Sequence, residues 1–530
     1  MNKSEKLNIQ GRPDVPPRLF DLLPRYVEKY GYKDNLFAGK VNGQWVKYNG
    51  AKFCEMTDSI SYGLLKLGVK RGDRIALVAT NAPEWNMIDF AIQQVGAICV
   101  PIYPTVSHAD YEHIFKHSEA SIVFVTNSNL YNKVSDIIAS TPSIKDVYLI
   151  RASEGLKSLQ ELIDLGNENK DDAALEAAKA EVKNEDLATI IYTSGTTGKR
   201  KGVMLSSSNL IANITYTEFE HERNEVLLSV LPMHHIFCFT SDYFKSLLEG
   251  FTVCLNGELS NIGKNLAIFQ PTTMRLVPMI CETLIRKVNI LHKRFPQLTP
   301  REAAEKVFGK NINWIACGGA YVAPSLIDEY GKYGILLRQG YGMSECSPRI
   351  TTSDFSDVCK YSTGKVLSVN EVRVQDGEIQ VKGPSVMLGY YKRPEATKAA
   401  FTEDGYLHTG DLGYLKDNHV YLVGRKKNLI ILSNGENVSP EEIENLFADE
   451  SIVKEVVVYG ENDKIVCEAF PDREFCDEMA EEEIEKKIHE IVDEINLNSP
   501  QTRQIATLKI RNTPFPRTSS GKIKRTAFYF

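Results

Sequence analysis

YTSGTTGKRKGV, residues 192–203, is the stretch from which this chain is best interpreted. Two glycines and four Ser or Thr hydroxyls lie within residues 192–198, and the cations Lys199, Arg200 and Lys201 follow. Glycine lets the backbone turn sharply, so that successive N–H groups can converge on an anion. The hydroxyls add neutral donors, and the cations add charge. This composition predicts a phosphate-binding loop, although a polar hairpin tip would have a similar composition.

The residues on either side of this loop predict strands. The apolar run Leu187–Tyr192 is typical of a buried strand, and Gly202–Leu205 predicts a second strand before a helix that Ser207 or Ser208 caps. No GxxxxGK[ST] pattern occurs here, and a strand rather than a helix is expected after the glycines. The loop is therefore not a Walker loop.

Length and composition restrict the class of protein. The chain has 530 residues, 43% hydrophobic and 25% charged, which is typical of a globular protein with room for more than one domain. Its net charge of −7 argues against a nucleic-acid partner. The ten cysteines include no CxxC pair. The sequence shows neither an apolar signal core nor a run long enough for a transmembrane segment, so we expect a cytoplasmic protein, with peripheral membrane contact left open.

The order of predicted elements indicates an α/β fold. Short apolar runs at 74–79, 97–102, 121–125 and 147–150 alternate with helical periodicity. Strand, helix and strand joined by short turns predict parallel sheets flanked by helices. The pattern changes after about residue 364 to hairpins, and after Gly424 to α+β. There, Ser439-Pro440-Glu441-Glu442 predicts a capping box with proline at the first helical position.

Several histidines have two interpretations. Asp110, His113 and His117 could share one helix face and hold a metal, but Tyr111, Ile114 and Phe115 favour an ordinary amphipathic helix. Farther along, His234 and His235 follow the predicted strand Leu227–Leu231 and precede aromatic residues. They predict either a pocket lining or structural histidines in the core.

Two further segments with small or polar residues follow predicted strands. Gly318-Gly319-Ala320 comes after the run Ile312–Ala316, and Tyr341-Gly342-Met343-Ser344-Glu345 comes after Leu336–Gln339. Ligands of open α/β sheets bind beyond the carboxyl ends of the strands. We therefore expect these segments to lie near the loop at 192–203.

Six motifs occur along the chain in one order: the loop at 192–203, Gly318–Ala320, Tyr341–Glu345, Thr409-Gly410-Asp411, Gly424–Lys427 and a basic tail containing Lys522. In this order and spacing they resemble the adenylate-forming superfamily of acyl- and aryl-CoA synthetases, peptide-synthetase adenylation domains and beetle luciferases. The resemblance implies doubly wound subdomains plus a β-barrel-like part in residues 1–424. It also implies a small mobile α+β domain, residues 425–530, that carries a catalytic lysine.

The implied chemistry has two steps. A carboxylate attacks the α-phosphorus of ATP to give an acyl-adenylate and pyrophosphate, and the thiol of coenzyme A or of an acyl carrier protein then displaces AMP. By resemblance, Mg²⁺ is held by Thr193 and Glu345, Lys427 is the hinge, Lys522 is the catalytic lysine and His235 lies near the acyl carboxylate. The resemblance further implies ATP-binding roles for Thr193, Ser194, Gly195, Thr196, Thr197, Gly198, Lys201, Gly318, Gly319, Ala320, Tyr341, Gly342, Met343, Ser344, Asp411 and Arg425.

The departures from the family pattern are small. Arg200 stands where the family usually has proline, Ser344 replaces the commoner threonine, and Asn428 replaces a frequent aspartate. None of them removes a charge that the two-step chemistry needs. A non-catalytic ligand sensor on the same fold would need neither Glu345 nor Lys522, and both are present.

The substrate is expected to be a medium- or long-chain fatty acid, with an aryl acid as the alternative. The segment Ile285–Phe308 and its ending, residues 307–312, resemble those of fatty acyl-CoA synthetases. The predicted pocket wall is apolar and contains methionines that adapt to a flexible chain. It consists of Met233, Ile236, Phe237, Phe239, Val277 and Met279. The alternative is that these residues only pack the core.

Overall fold

The computed structural model describes residues 15–41, 44–193, 200–215, 225–353, 356–433, 436–477, 479–517 and 523–525. Two seven-stranded sheets with flanking helices and a six-stranded antiparallel sheet precede a separate C-terminal domain. The α/β prediction is confirmed.

The first sheet carries the strands on both sides of the loop at 192–203. Its order is β18-β8-β7-β4-β3-β5-β6, and the strands from β7 to β6 are parallel. The remaining two, β8 and β18, are antiparallel to their neighbours. The strands are β3 (Arg74–Val78), β4 (Ile98–Pro101), β5 (Ile122–Val125), β6 (Asp146–Leu149), β7 (Leu187–Thr193), β8 (Lys201–Ser206) and β18 (Gly389–Tyr390).

The second sheet carries the two glycine-containing strand ends. Its order is β13-β12-β11-β9-β10-β1-β2, and only the edge strand β2 is antiparallel to its neighbour. The strands are β1 (Phe37–Val41), β2 (Gln44–Tyr48), β9 (Val226–Ser229), β10 (Thr252–Leu255), β11 (Thr273–Leu276), β12 (Trp314–Gly318) and β13 (Leu336–Gly340). Residues 42 and 43, between β1 and β2, lie outside the described residues, and the two strands pair antiparallel.

Helices flank both sheets, and several begin at the polar N-cap residues that favour helix starts, for example Asn49, Ser107 and Thr299. None of the helices described is long and apolar enough to cross a membrane. The helices of this region are α1 (Leu22–Tyr30), α2 (Gly50–Lys66), α3 (Pro83–Gln94), α4 (His108–Ser118), α5 (Ser128–Ala139), α6 (Leu159–Glu168), α7 (Asp172–Glu181), α8 (Ser207–Thr215), α9 (Ser246–Glu249), α10 (Ile262–Phe269), α11 (Pro278–Arg294), α12 (Pro300–Phe308), α13 (Pro324–Lys332) and α14 (Pro394–Ala400).

The third sheet is the part that the sequence predicted as barrel-like. Its order is β14-β15-β20-β19-β17-β16, and within the described residues β14 and β16 are its two edges, so the sheet does not close into a barrel. The strands are β14 (Thr351–Thr352), β15 (Lys365–Val366), β16 (Glu371–Gln375), β17 (Glu378–Lys382), β19 (Leu407–Lys416) and β20 (His419–Arg425).

The C-terminal domain has its own hydrophobic core. Its buried clusters lie between Ile430 and Phe515 and share no residue with the clusters of the preceding region. Its elements are β21 (Ile430–Ile431), β22 (Asn437–Val438), α15 (Pro440–Glu444), β23 (Val453–Glu461), β24 (Lys464–Pro471), α16 (Glu481–Leu497) and β25 (Thr507–Ile510).

The predicted capping box before α15 is wrong in its hydrogen bonds. The helix begins at Pro440 as expected, with Ser439 as N-cap, but the Ser439 side chain caps no N–H of the helix. Its hydroxyl instead donates to the carbonyl of Val423 at 2.9 Å. A contact with β20 has replaced the local one.

Candidate active site

The loop at 192–203 stands on a paired strand stem. Thr193 ends β7 and faces Lys201, the first residue of antiparallel β8. Both strands are therefore placed as the sequence predicted. Ser194, Gly195, Thr196, Thr197 and Gly198 lie outside the described residues.

A buried carboxyl group, a phenol and a lysine meet beside this stem. The Tyr390 hydroxyl, at the end of β18, donates to Oε1 of Glu345 at 2.8 Å. The ammonium of Lys201 lies 4.7 Å from the centroid of the Tyr390 ring. Burial raises the pKa of Glu345, while the Tyr390 hydrogen bond and the charges of Arg425 and Lys201 act in the opposite direction. Tyr390 thus links Glu345, which follows β13, to Lys201 at the start of β8. No motif in the sequence indicated Tyr390.

Asp411 forms a second polar centre. Tyr341 donates its hydroxyl to one carboxylate oxygen of Asp411 at 2.7 Å, and Nε of Arg425 contacts the other oxygen at 2.7 Å. Asp411 is buried, whereas Arg425 is half exposed. Burial raises the pKa of Tyr341 well above its usual value, so the phenol remains a neutral donor. Asp411 lies on β19 and Arg425 ends β20, and the two are direct partners in the ladder.

The two glycine-containing segments follow neighbouring parallel strands. Gly318 and Gly340 are partners at the ends of β12 and β13. Gly319 has a φ of 84°, a left-handed conformation that glycine adopts without strain. At Gly342 a Cβ atom would lie 2.0 Å from the carbonyl oxygen of Pro348, so a side chain would force the backbone apart. In the segments that follow these strands, Gly319 and Ala320 are exposed, while Met343 and Ser344 are half-buried.

The adjacent histidines have different environments. His235 is half-buried, and its Nδ1 accepts from the N–H of Phe237 at 3.3 Å. His234 is buried, with its ring 3.8 Å from that of Tyr103. Within the described residues neither ring nitrogen of His234 has a hydrogen-bond partner. Burial lowers the pKa of His234 to about 3, so this ring is neutral at physiological pH.

The six residues of the predicted apolar wall have different environments. Phe239 is fully buried and packs edge-on against Trp85 and Phe244, so it belongs to an aromatic core cluster. Met279 is 50% exposed at the start of α11. The remaining predicted wall residues are buried or half-buried: Met233, Ile236, Phe237 and Val277.

The hinge candidate, Lys427, lies in a single 3₁₀ turn, Lys426–Asn428, directly after β20. Lys426 forms an ion pair with Glu378 at 3.2 Å, and Asn428 donates to Glu441. The segment between the two regions is thus anchored on both sides of Lys427. Lys522 lies outside the described residues.

No group of three or more His, Cys, Asp or Glu side chains suited to a metal ion occurs in the described part of the chain. Glu345 and Thr193 offer a carboxylate and a hydroxyl. Such oxygen ligands suit Mg²⁺, which is commonly bound by one or two carboxylates together with substrate phosphates. The donor set therefore fits magnesium bound to a nucleotide.

Comparison with known proteins identifies relatives over most of the chain. The family profile described as AMP-binding enzyme matches residues 25–391, and the profile described as AMP-binding enzyme C-terminal domain matches residues 427–530. The long-chain-fatty-acid–CoA ligase FadD15 of Mycobacterium bovis is 30% identical over 471 residues, 80% of this chain and 77% of that protein. The long-chain-fatty-acid–CoA ligase of Salmonella typhimurium is 30% identical over 437 residues, 74% of this chain and 75% of that protein.

Solved structures with the same fold include two ligand complexes. The anthranilate CoA ligase AuaEII in complex with anthranoyl-AMP has a TM-score of 0.83 at 18% identity and covers 99% of this chain and 98% of its own. ATP-bound MatB from Rhodopseudomonas palustris has a TM-score of 0.79 at 23% identity and covers 96% and 98%. The order of motifs, the fold and the matched profiles agree, and this chain belongs to the family of AMP-binding enzymes.

Proposed function

We propose that this protein is an ATP-dependent acyl-CoA ligase. It activates a carboxylic acid as an acyl-adenylate and then transfers the acyl group to the thiol of coenzyme A. The main structural support is the placement of Glu345, Lys201 and Asp411 around strand ends next to the loop at 192–203. The relatives named long-chain-fatty-acid–CoA ligases support the same activity.

In the first step a carboxylate oxygen attacks the α-phosphorus of ATP, and the bond from that phosphorus to pyrophosphate breaks. Both reactants are anions, so positioning and neutralisation of charge dominate the barrier. A unit charge at ~4 Å is worth about 4 kcal/mol at an effective dielectric constant of ~20. Lys201 and Lys522 supply such charge. Thr193 and Glu345 would hold Mg²⁺, which would neutralise negative charge on the phosphates when bound.

The polar centre around Asp411 is the proposed binding site for the ribose of the nucleotide. A carboxylate can accept from two hydroxyls, so Asp411 binds the ribose diol, and Arg425 and Tyr341 hold this carboxylate in place. The loop residues Thr193, Ser194, Gly195, Thr196, Thr197 and Gly198 wrap the phosphates. Gly318, Gly319 and Ala320, together with Tyr341, Gly342, Met343 and Ser344, bound the adenine and acyl pocket.

In the second step the sulfur of coenzyme A attacks the acyl carbonyl, and the bond from that carbonyl to AMP breaks. Residues 425–530 form a mobile domain that presents different faces in the two steps, with Lys427 as hinge. His235 lies near the acyl carboxylate. The reaction takes place in the cytoplasm. Coenzyme A is the proposed acceptor thiol, and the thiol of an acyl carrier protein is the alternative.

The substrate that we propose is a medium- or long-chain fatty acid. Met233 and Ile236 belong to the large hydrophobic core cluster and Phe237 and Val277 pack against it, and we assign these four residues to the wall of the acyl pocket. Each methylene buried there contributes about 0.8 kcal/mol, so kcat/KM should rise several-fold for every two carbons until the pocket ends.

The test measures pyrophosphate release with acids of six to eighteen carbons and with benzoates and cinnamates, with and without coenzyme A. We expect the highest kcat/KM for a fatty acid and a thioester product when coenzyme A is present. Glu345→Gln serves as the inactive control. Highest activity on an aromatic acid without any effect of chain length would overturn the substrate class. No pyrophosphate release from any acid would overturn the ligase assignment.

A further inference from the structure

One face of helix α4 holds both ends of the loop at 192–203. Asp110, His113 and His117 lie three and four residues apart, so their side chains project from the same side of the helix. The opposite face is buried in the core through Tyr111, Ile114, Phe115 and Ser118. The helix therefore packs on the first sheet through its apolar face, and its polar face contacts another part of the chain.

Arg200, which precedes β8, binds this face in two ways. Its guanidinium forms a two-point ion pair with the Asp110 carboxylate, with Nε at 2.9 Å and the second nitrogen at 3.1 Å. Nε2 of His113 lies 2.9 Å from the backbone carbonyl oxygen of Arg200. The Arg200 side chain is only 12% exposed. Its charge is thus neutralised by Asp110, although the sequence had placed Arg200 among the cations for phosphate.

The other end of the loop is held by the third residue. Nδ1 of His117 lies 2.8 Å from the hydroxyl of Tyr192, next to the last residue of β7. The rings of His113 and His117 are 5.2 Å apart and nearly parallel, and both meet the Tyr192 ring edge-on. Residues 192 and 200 flank residues 193–198, the predicted phosphate-binding segment, and Lys201 follows directly after Arg200. Fixing both residues sets the positions from which the phosphate-binding segment between them extends.

We propose that Asp110, His113 and His117 form a clamp that positions the phosphate-binding loop and so sets the affinity for the triphosphate of the nucleotide. These three are positioning residues, because they act on the ligand through Tyr192 and Arg200. The inference rests on the proposed function, since it takes ATP as the ligand of the loop. The clamp is a feature of this chain's own sequence, because Arg200 stands where the resembled family usually has proline.

The test compares Asp110→Asn, Arg200→Gln, the double variant and Tyr192→Phe with the wild type. Each single change should raise the KM for ATP in adenylate formation about three- to tenfold, and the Asp110 and Arg200 effects should not add in the double variant. The KM for the acid should stay within twofold. Conversion of supplied acyl-adenylate and coenzyme A to thioester should be unchanged, because that step binds no triphosphate. Asp110→Glu, which keeps the charge, should recover part of the affinity.

Matched controls lie on the same helix. Glu112 and Lys116 form an exposed ion pair on α4 that touches neither end of the loop, so Glu112→Gln and Lys116→Gln should leave the KM for ATP unchanged. Equal losses in both half-reactions, or no change in the KM for ATP, would overturn the clamp. Equilibrium binding of ATP to the same variants separates this inference from the proposed function. Weaker ATP binding in the clamp variants supports the clamp even if no acid is activated.

Discussion

At the residue scale, Asp110, His113 and His117 show that ligand-like spacing does not define a metal site. The spacing along α4 is that of residues on one helix face, as the sequence predicted. Each of the three side chains, however, meets a partner about 75 to 90 positions away in the chain. Long-range pairs of this kind depend on how β7 and β8 pack beside α4, and no local pattern contains that information.

A prediction at this scale concerns Tyr390→Phe, which removes the hydroxyl that Glu345 accepts from. That hydrogen bond favours the ionised carboxylate, while burial favours the protonated one. Without the hydroxyl the pKa of Glu345 rises further, so the ionised form is lost at a higher pH when the pH is lowered. The kcat/KM of adenylate formation should fall about two- to tenfold at pH 6 and less at pH 8. A pH–rate profile of both proteins checks this.

Tyr391→Phe is the matched control for that change, since Tyr391 follows Tyr390 and makes no contact with Glu345 among the described hydrogen bonds. Its profile should coincide with that of the wild type. If kcat/KM falls at the same low pH in Tyr390→Phe as in the wild type, adenylate formation does not depend on the charge of Glu345.

At the scale of single elements, hydrophobic periodicity predicted most strands of the two seven-stranded sheets but fewer than half of the helices that flank them. The capping box of α15 was predicted wrongly, and the third sheet is open where the resemblance implied a barrel-like part, because both features depend on contacts between elements. In the candidate site the sequence located the strand ends, the glycines and Asp411. It missed Tyr390 and the environment of His234, which are defined by neighbours from other strands.

Helix packing provides the prediction at this scale. Helices α2 and α6 approach so closely that a Cβ atom on Gly166 would lie 1.9 Å from the carbonyl oxygen of Ser59. Gly166→Ala should therefore reduce the free energy of unfolding by about 1–3 kcal/mol, since the two helices must move apart. Denaturant unfolding measures this.

Gly331→Ala on α13 is the control, because among the described residues no atom outside its chain neighbours and its own helix backbone lies within 4 Å of the added Cβ. An alanine there should be neutral or stabilise by up to ~1 kcal/mol, since glycine loses more backbone entropy in a helix. If the two variants had equal stability, close contact between α2 and α6 would not be what requires glycine at residue 166.

At the scale of the whole molecule, polar contacts join the two regions. Arg286 on α11 forms an ion pair with Asp472 at 2.7 Å, and Ser325 on α13 donates to Asp449. The chain crosses from one region to the other through the turn that contains Lys427. The hinge that we propose at this position would let one small domain serve two chemical steps.

Lys427→Pro tests this hinge. Proline fixes φ near about −65°, so the turn should be held in one arrangement, and one half-reaction should survive far better than the other. Separate assays of adenylate formation and of thioester formation from supplied acyl-adenylate measure the difference. Lys427→Ala, which leaves the backbone free, should retain both half-reactions. Unchanged kinetics in the proline variant would place the hinge elsewhere.

Lys522→Ala tests the division of labour between the two steps. If Lys522 supplies positive charge only in the first step, adenylate formation should fall at least about a hundredfold. Thioester formation from supplied acyl-adenylate and coenzyme A should persist. Lys524→Ala is the control, because it removes an exposed lysine two residues away. Equal loss of both half-reactions would contradict this role.

The separate hydrophobic cores have a calorimetric consequence. No cluster contains residues of both regions, so the two regions can melt independently, and heating should produce two endothermic transitions rather than one cooperative transition. Because the enthalpy of unfolding scales with the number of residues, the transition of the smaller domain should carry about one quarter of the heat of the larger one. Arg286→Ala should shift the two peaks with respect to each other, since the ion pair with Asp472 joins the two melting units.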